Sequence, residues 1–114
     1  MHELSIVMSI VDIATEEAYK AGVSKFDSIE LDIGTLSGIV FDALDFAWQA
    51  AVTNTVLDGA KCNINKIQAV SQCRDCGHKF ETKTLYEACP KCGSYFTLLI
   101  KGNELKIKSL IIDC

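Results

Sequence analysis

Apolar residues recur at Leu4, Val7, Met8, Val11, Ala14 and Ala18 on one face of a helical period, while Glu3, Asp12, Glu16 and Lys20 take the other side. The pattern predicts a helix from His2 to about Ala21, with Gly22 suited to its C-terminal cap. Ile29, Leu31 and Ile33 then alternate with Glu30 and Asp32, the period of a half-buried strand that ends at Gly34. After a loop reading GTLSGIV, helical spacing returns in Phe41, Leu44, Trp48 and Val52 and predicts a second helix to about Val56. This stripe reads as core packing. Beyond the turn pair Asp58-Gly59, Cys62, Ile64 and Ile67 suggest a strand to about Ala69. A last β-rich stretch, Glu104 to Asp113, reads as a strand with a bulge.

The order is α-β-α-β, an interruption, and a closing β. A lone terminal strand cannot satisfy its backbone groups, so the last segment is expected to return and pair with the first two. The fold expected is α+β, a small mixed three-stranded sheet with two helices. The main domain comprises residues 1–69 plus 102–114, with 70–101 as an inserted minidomain. The closing strand, on its short Gly102-Asn103 linker, can pair within its own chain or swap into a second copy, which leaves a homodimer open.

Composition narrows the chemistry. With 49% hydrophobic and 23% charged residues the chain is ordinary globular material. A net charge of −4 argues against affinity built on phosphate contacts, so nucleic acid is not an expected partner. No apolar run approaches the ~20 residues of a membrane span, and the N-terminus lacks the features of a secretory signal, so a soluble, cytoplasmic protein is expected. In a reducing cytosol, six cysteines point to metal ligation more than to disulfides.

Four of them form two CxxC pairs, Cys73/Cys76 and Cys89/Cys92, each followed by glycine. Two residues between cysteines let both sulfurs reach one ion, and the glycine permits the tight turn. Zn²⁺ fits best, since four thiolates close a tetrahedral structural site and leave no position for water or substrate. A thioredoxin-like redox motif needs only one such pair. A four-thiolate iron centre shares the ligand geometry and would announce itself by colour. Residues 70–101 hold five Lys/Arg against three acids, an excess that four thiolates around a dication cancel, which weakens the reading as a nucleic-acid ribbon. Phe80, Leu85, Tyr86, Tyr95 and Phe96 are too few to hold this segment without an ion, so the metal is assigned a structural role. His78 lies beside the cluster without being needed by it, Cys62 reads as a small core residue and Cys114 as a tail thiol.

One of only two histidines follows the initiator methionine. The default for such a terminus is an exposed, idle side chain. Yet a retained Met1 keeps the α-amine one residue from the His2 imidazole, and amine, amide nitrogen and imidazole can take consecutive corners around one ion, a set favouring Ni²⁺ or Cu²⁺ in tetragonal geometry. Glu3, or its amide, can supply a fourth donor.

The run MHELSIV, the loop GTLSGIVFDAL, the paired CxxC and CPKCG knuckles and the KIKS near the end resemble the HypA/HybF family of hydrogenase nickel-insertion accessory proteins, over essentially the whole chain. The resemblance implies a nickel metallochaperone: a nickel-binding α/β domain with an inserted zinc ribbon, working with a nickel-handling GTPase to load the hydrogenase large subunit, and in some members urease. It implies nickel at Met1, His2 and Glu3 and zinc at Cys73, Cys76, Cys89 and Cys92. The family loop usually carries an acidic residue that lies near nickel in some members. This chain has Val40 there, with Asp42 two positions on as the acid left to serve. No enzyme is expected, since no nucleophile is paired with a base and Ser37 has no visible triad partner. The reading from another class is a zinc-ribbon protein-interaction module with an inert N-terminus; an iron electron carrier is the third.

Overall fold

The computed structural model describes residues 2–112, apart from the side chain of His2. The expectations for Met1, for the His2 imidazole and for the strand end and thiol at Asp113 and Cys114 lie outside the described residues. The elements run α1 (His2–Ala21), β1 (Ser28–Gly34), α2 (Phe41–Ala51), β2 (Lys61–Ile67), β3 (Val70–Cys73), β4 (Lys79–Glu81), β5 (Thr97–Lys101) and β6 (Leu105–Ile111). They form two three-stranded sheets, ordered β2-β1-β6 and β4-β3-β5. The expected α+β class holds.

The first sheet is mixed. Asp27 donates to the Ile111 carbonyl and Gly34 to that of Glu104, so β1 and β6 run antiparallel. Lys61 donates to Asp27 and Thr35 to Ile67, so β2 runs parallel to β1, as the intervening helix allows. The closing segment therefore pairs with the first strand of its own chain. It spans Leu105–Ile111, beginning one residue later than its β-forming residues suggest.

Two compact units divide the chain, one comprising Met1–Leu31, Ile39–Ile64 and Ile107–Cys114, the other Asp32–Gly38 and Asn65–Lys106. In the first, α1 ends where Gly22 adopts a positive φ of 71°. There Val23 donates to Ala18 at 3.0 Å and Gly22 to Tyr19 at 3.2 Å, the paired bonds that close a helix on a left-handed residue. The buried face of α1 is Glu3, Val7, Ile10, Ala14 and Ala18. This corrects the expected stripe: Leu4 and Met8 are exposed, and Glu3, assigned to the polar side, is buried.

Of the stripe expected on α2, Leu44, Trp48 and Val52 are buried and Phe41 is only half-buried; Ala47 and Leu57 are buried as well. The helix stops at Ala51 rather than Val56. The run Val52-Thr53-Asn54-Thr55-Val56 is poor in helix formers. Local bonds take over there: Asn54 turns left-handed at φ 64°, Asp58 accepts its N–H at 3.0 Å, and the Thr55 hydroxyl accepts that of Leu57 at 3.2 Å. Cys62, read as a core residue, is only half-buried on β2; burial and then the nearby Asp45 carboxylate push its thiol up to about 11.

In the second unit β3 pairs antiparallel with both β4 and β5, with a bulge against β5 between Val70 and Ser71. The interruption at 70–101 thus has a sheet of its own. The loop 32–38 belongs to this unit and is hydrogen-bonded to both chain segments at the base of that sheet. Thr35 donates to Ile67 at 2.9 Å and Leu36 to Gly102 at 2.7 Å, while the Thr35 hydroxyl accepts the Ala69 N–H at 3.0 Å. The approach is so close that a Cβ on Gly34 would overlap the Gly102 carbonyl.

Candidate metal centre

The first knuckle is shaped by the backbone around Cys73. Its N–H donates to the His78 carbonyl at 2.9 Å, and its own carbonyl accepts Gly77 N–H at 3.0 Å. Gly77 sits at φ 80°, where a side chain would be strained. The second knuckle repeats the scheme: Cys89 donates to Ser94 and Gly93 to Cys89, both at 2.8 Å, with Gly93 at φ 78°. The two are laced together, because Arg74 N–H donates to Phe96 at 2.8 Å and the Ser94 hydroxyl donates to the Asp75 carboxylate.

These turns aim four sulfurs at one point. Sγ of Cys73 lies 3.5 Å from that of Cys92, Cys76 Sγ lies 3.7 Å from Cys89 Sγ, and all four ligand atoms fall within 4.8 Å of one another. Metal–sulfur bonds of ~2.3 Å in a tetrahedron separate the sulfurs by about 3.8 Å, so the cluster fits one ion. Cys73 and Cys89 are buried while Cys76 and Cys92 reach the surface.

The electrostatics agree. The Cys76 N–H, 3.4 Å from Cys73 Sγ, stabilises its thiolate against the opposing effect of burial, and with help from the Asp75 N–H brings it down to about 7. For Cys92, the Ser94 N–H favours the thiolate, but its bond to Cys73 and burial outweigh this and push it up to about 12. Without a cation, one thiolate borrows its neighbours' protons; a dication replaces those protons and lets all four ionise.

Among the described residues of 70–101, the buried hydrophobic side chains are Cys73, Phe80 and Cys89. Leu85, Tyr86, Tyr95 and Phe96 are all exposed, so the sulfurs themselves are most of the core. His78 contributes its carbonyl to the first knuckle and stacks its ring near Phe80, with centroids 6.2 Å apart.

Of the residues expected at the N-terminal site, Glu3 is the one whose side chain is described. It is 7% exposed, and its Oε2 accepts the backbone N–H of Val40 at 3.2 Å. That bond, foremost, and one from the Glu3 N–H hold its carboxyl below the ordinary range against the effect of burial. Val40 is the N-cap of α2 and has no side-chain capping bond. Asp42 lies exposed in the first turn of the same helix, two residues further on. The structure therefore joins the start of α1 to the loop around position 40, a link between residues 37 apart that no local motif announces.

The family model for hydrogenase/urease nickel incorporation, metallochaperone HypA, matches residues 1–112. The chain belongs to the HypA family. It is 40% identical over 113 residues to the hydrogenase maturation factor HypA of Geotalea uraniireducens, covering 99% of this chain and all of that one. To the factor of the same name from Parabacteroides distasonis it is 41% identical over 112 residues, covering 98% and 97%. Among solved structures it is similar to the Ni metallochaperone HypA from Helicobacter pylori, with a TM-score of 0.68 at 27% identity, covering 96% of each chain. A second HypA solution structure matches with a TM-score of 0.71 at 29% identity over 98% and 96% of the two chains. HypA proteins are metallochaperones and maturation factors, not enzymes, and no described helix is long and apolar enough to cross a membrane.

Proposed function

We propose that this HypA chain carries Ni²⁺ on its first residues, holds Zn²⁺ among Cys73, Cys76, Cys89 and Cys92, and hands the nickel to the hydrogenase large subunit, or to urease, in company with a nickel-handling GTPase. The observation that carries the reading is the whole-length match to a nickel-incorporation family in a chain whose four-sulfur set is already complete. A closed thiolate tetrahedron suits a resident structural ion, and zinc takes that geometry with no preference to overcome. Cargo needs another kind of donor set. The Met1 amine, the amide nitrogen and imidazole of His2 and a donor from Glu3 offer nickel a hold firm enough to carry it and open enough to give it up, with Asp42 as the nearby acid. Both amine and imidazole must be deprotonated, with reference values of about 8 and 6.5, so affinity falls on mild acidification.

Calorimetric nickel titration of untagged, zinc-loaded protein tests this. One Ni²⁺ per chain is expected, with binding lost when one residue is added before Met1 and zinc content unchanged. Undiminished nickel uptake by the extended chain would overturn the N-terminal site.

A further inference from the structure

We infer that the backbone N–H of Val40 and the carboxylate of Glu3 form a clamp that fixes the metal-binding N-terminus on the start of α2, with Glu3 acting through its side chain as a positioning residue and not as a ligand. This rests on the N-terminal nickel site proposed above.

Four observations carry it. Glu3 occupies the core face of α1 with Val7 and Ile10, at 7% exposure. A carboxylate aimed inward needs a donor, and Val40 N–H meets its Oε2 at 3.2 Å. Val40 in turn needs what Glu3 provides. In a capping box, a Glu or Gln three residues into the helix reaches back to the N-cap N–H; here that position is Ala43, which cannot. Glu3 fills the gap from another helix, placing its charge at the positive end of α2. Finally, Glu3 and Leu4 line one shallow groove with Ala43 and Ala47, so the first turn of α1 lies against α2.

The consequence is geometric. A donor set made of the first two or three residues of a chain binds well only if the chain that follows is held still. The clamp holds it one residue beyond His2. Position 40 then serves the nickel site through its main chain, so an apolar side chain is sufficient there.

The test compares Glu3→Gln, Glu3→Ala and Val40→Pro, with Val40→Ala and His2→Ala as references, by nickel titration, nickel absorption spectrum and circular dichroism. Gln keeps an oxygen for the Val40 N–H but is a poor nickel ligand; Pro removes the donor while leaving the Val40 carbonyl to accept Leu44 N–H. Loss of a hydrogen bond to a charged group predicts about tenfold weaker nickel binding in Glu3→Ala and Val40→Pro. Val40→Ala should bind as the parent does, and Glu3→Gln, which keeps the hydrogen bond without the charge, should fall between the parent and Glu3→Ala, both with the parent's nickel absorption bands. If Val40→Pro fails to fold, the pair at Glu3 decides. Equal weakening in Glu3→Gln and Glu3→Ala with a shifted nickel band would make the carboxylate a ligand and overturn the clamp, and so would parent-like affinity in Glu3→Ala. His2→Ala separates the two claims: if it keeps full nickel affinity the N-terminal site fails, whereas its loss beside an unaffected Glu3→Ala defeats the clamp alone.

Discussion

The cysteine knuckles and the nickel site proposed for the N-terminus are built in opposite ways. Each knuckle is held by backbone bonds of 2.8–3.0 Å and a left-handed glycine, and one of its two sulfurs is buried. The set is complete from side chains alone. At the N-terminus, by contrast, the one side chain described, Glu3, is tied to the backbone of Val40, and the donors proposed for nickel are main-chain nitrogens and one imidazole. A site whose sulfurs are most of its local core cannot give up its ion without losing structure; a site perched on the first residues of a helix can. On the function proposed above, this difference would separate a resident ion from a transported one, and the two should respond to different substitutions.

The largest effect is expected from Cys73→Ser. Because apolar burial in 70–101 amounts to little beyond Phe80 and the sulfurs, a structural metal held there would supply much of the folding energy of that segment, on the order of 10 kcal/mol. Metal analysis should fall from one zinc per chain toward none, and limited proteolysis should open the segment. A variant that stays protected without metal would break the contrast. Next comes Gly34→Ala. A Cβ there meets the Gly102 carbonyl, backbone against backbone, and Gly102, at φ 115°, is itself constrained; destabilisation on the order of 3 kcal/mol should appear in the denaturant midpoint.

Smaller is Thr35→Val, which leaves the Ala69 N–H without its hydroxyl acceptor. A cost of about 1–2 kcal/mol by chemical denaturation is expected, with metal content unchanged. Smallest is the acid limb of stability. The fold holds Glu3 below its ordinary value of 4.5, so the carboxylate stabilises the native state above that pH, and the contribution is lost as pH falls through the folded value. Glu3→Gln should lower stability at neutral pH and flatten the stability curve below about pH 4.5, so that variant and parent converge in acid. A parent-like acid limb in this variant would remove Glu3 from the list of groups that matter to the fold.

How far the chain could be read follows from the range of the interactions concerned. The four-sulfur site was legible because ligand chemistry fixes its spacing within each CxxC pair, and the glycine that each knuckle needs stands next in sequence. Helix α1 was legible from end to end, since Gly22 closes it locally. Its orientation was not. Leu4 and Met8 are apolar yet exposed, while Glu3 turns inward because a main-chain donor 37 residues away receives it. Periodicity counts apolar residues and cannot see such a partner. The end of α2 is hidden from the sequence for a related reason: Val52 and Val56 extend the apolar spacing, but the Asn54, Thr55 and Asp58 bonds decide the backbone. The three short strands around the knuckles carry too little alternation to be seen beside the cysteines, and the hold of Thr35 on Ala69 joins distant segments.

The absorption spectrum of the chain loaded with one zinc and one nickel tests the division of labour most directly. Nickel held by nitrogen and oxygen donors should give only weak visible bands, with zinc retained at one per chain. An intense near-ultraviolet thiolate-to-nickel charge-transfer band, or zinc released as nickel is added, would place the cargo among the sulfurs and contradict the account.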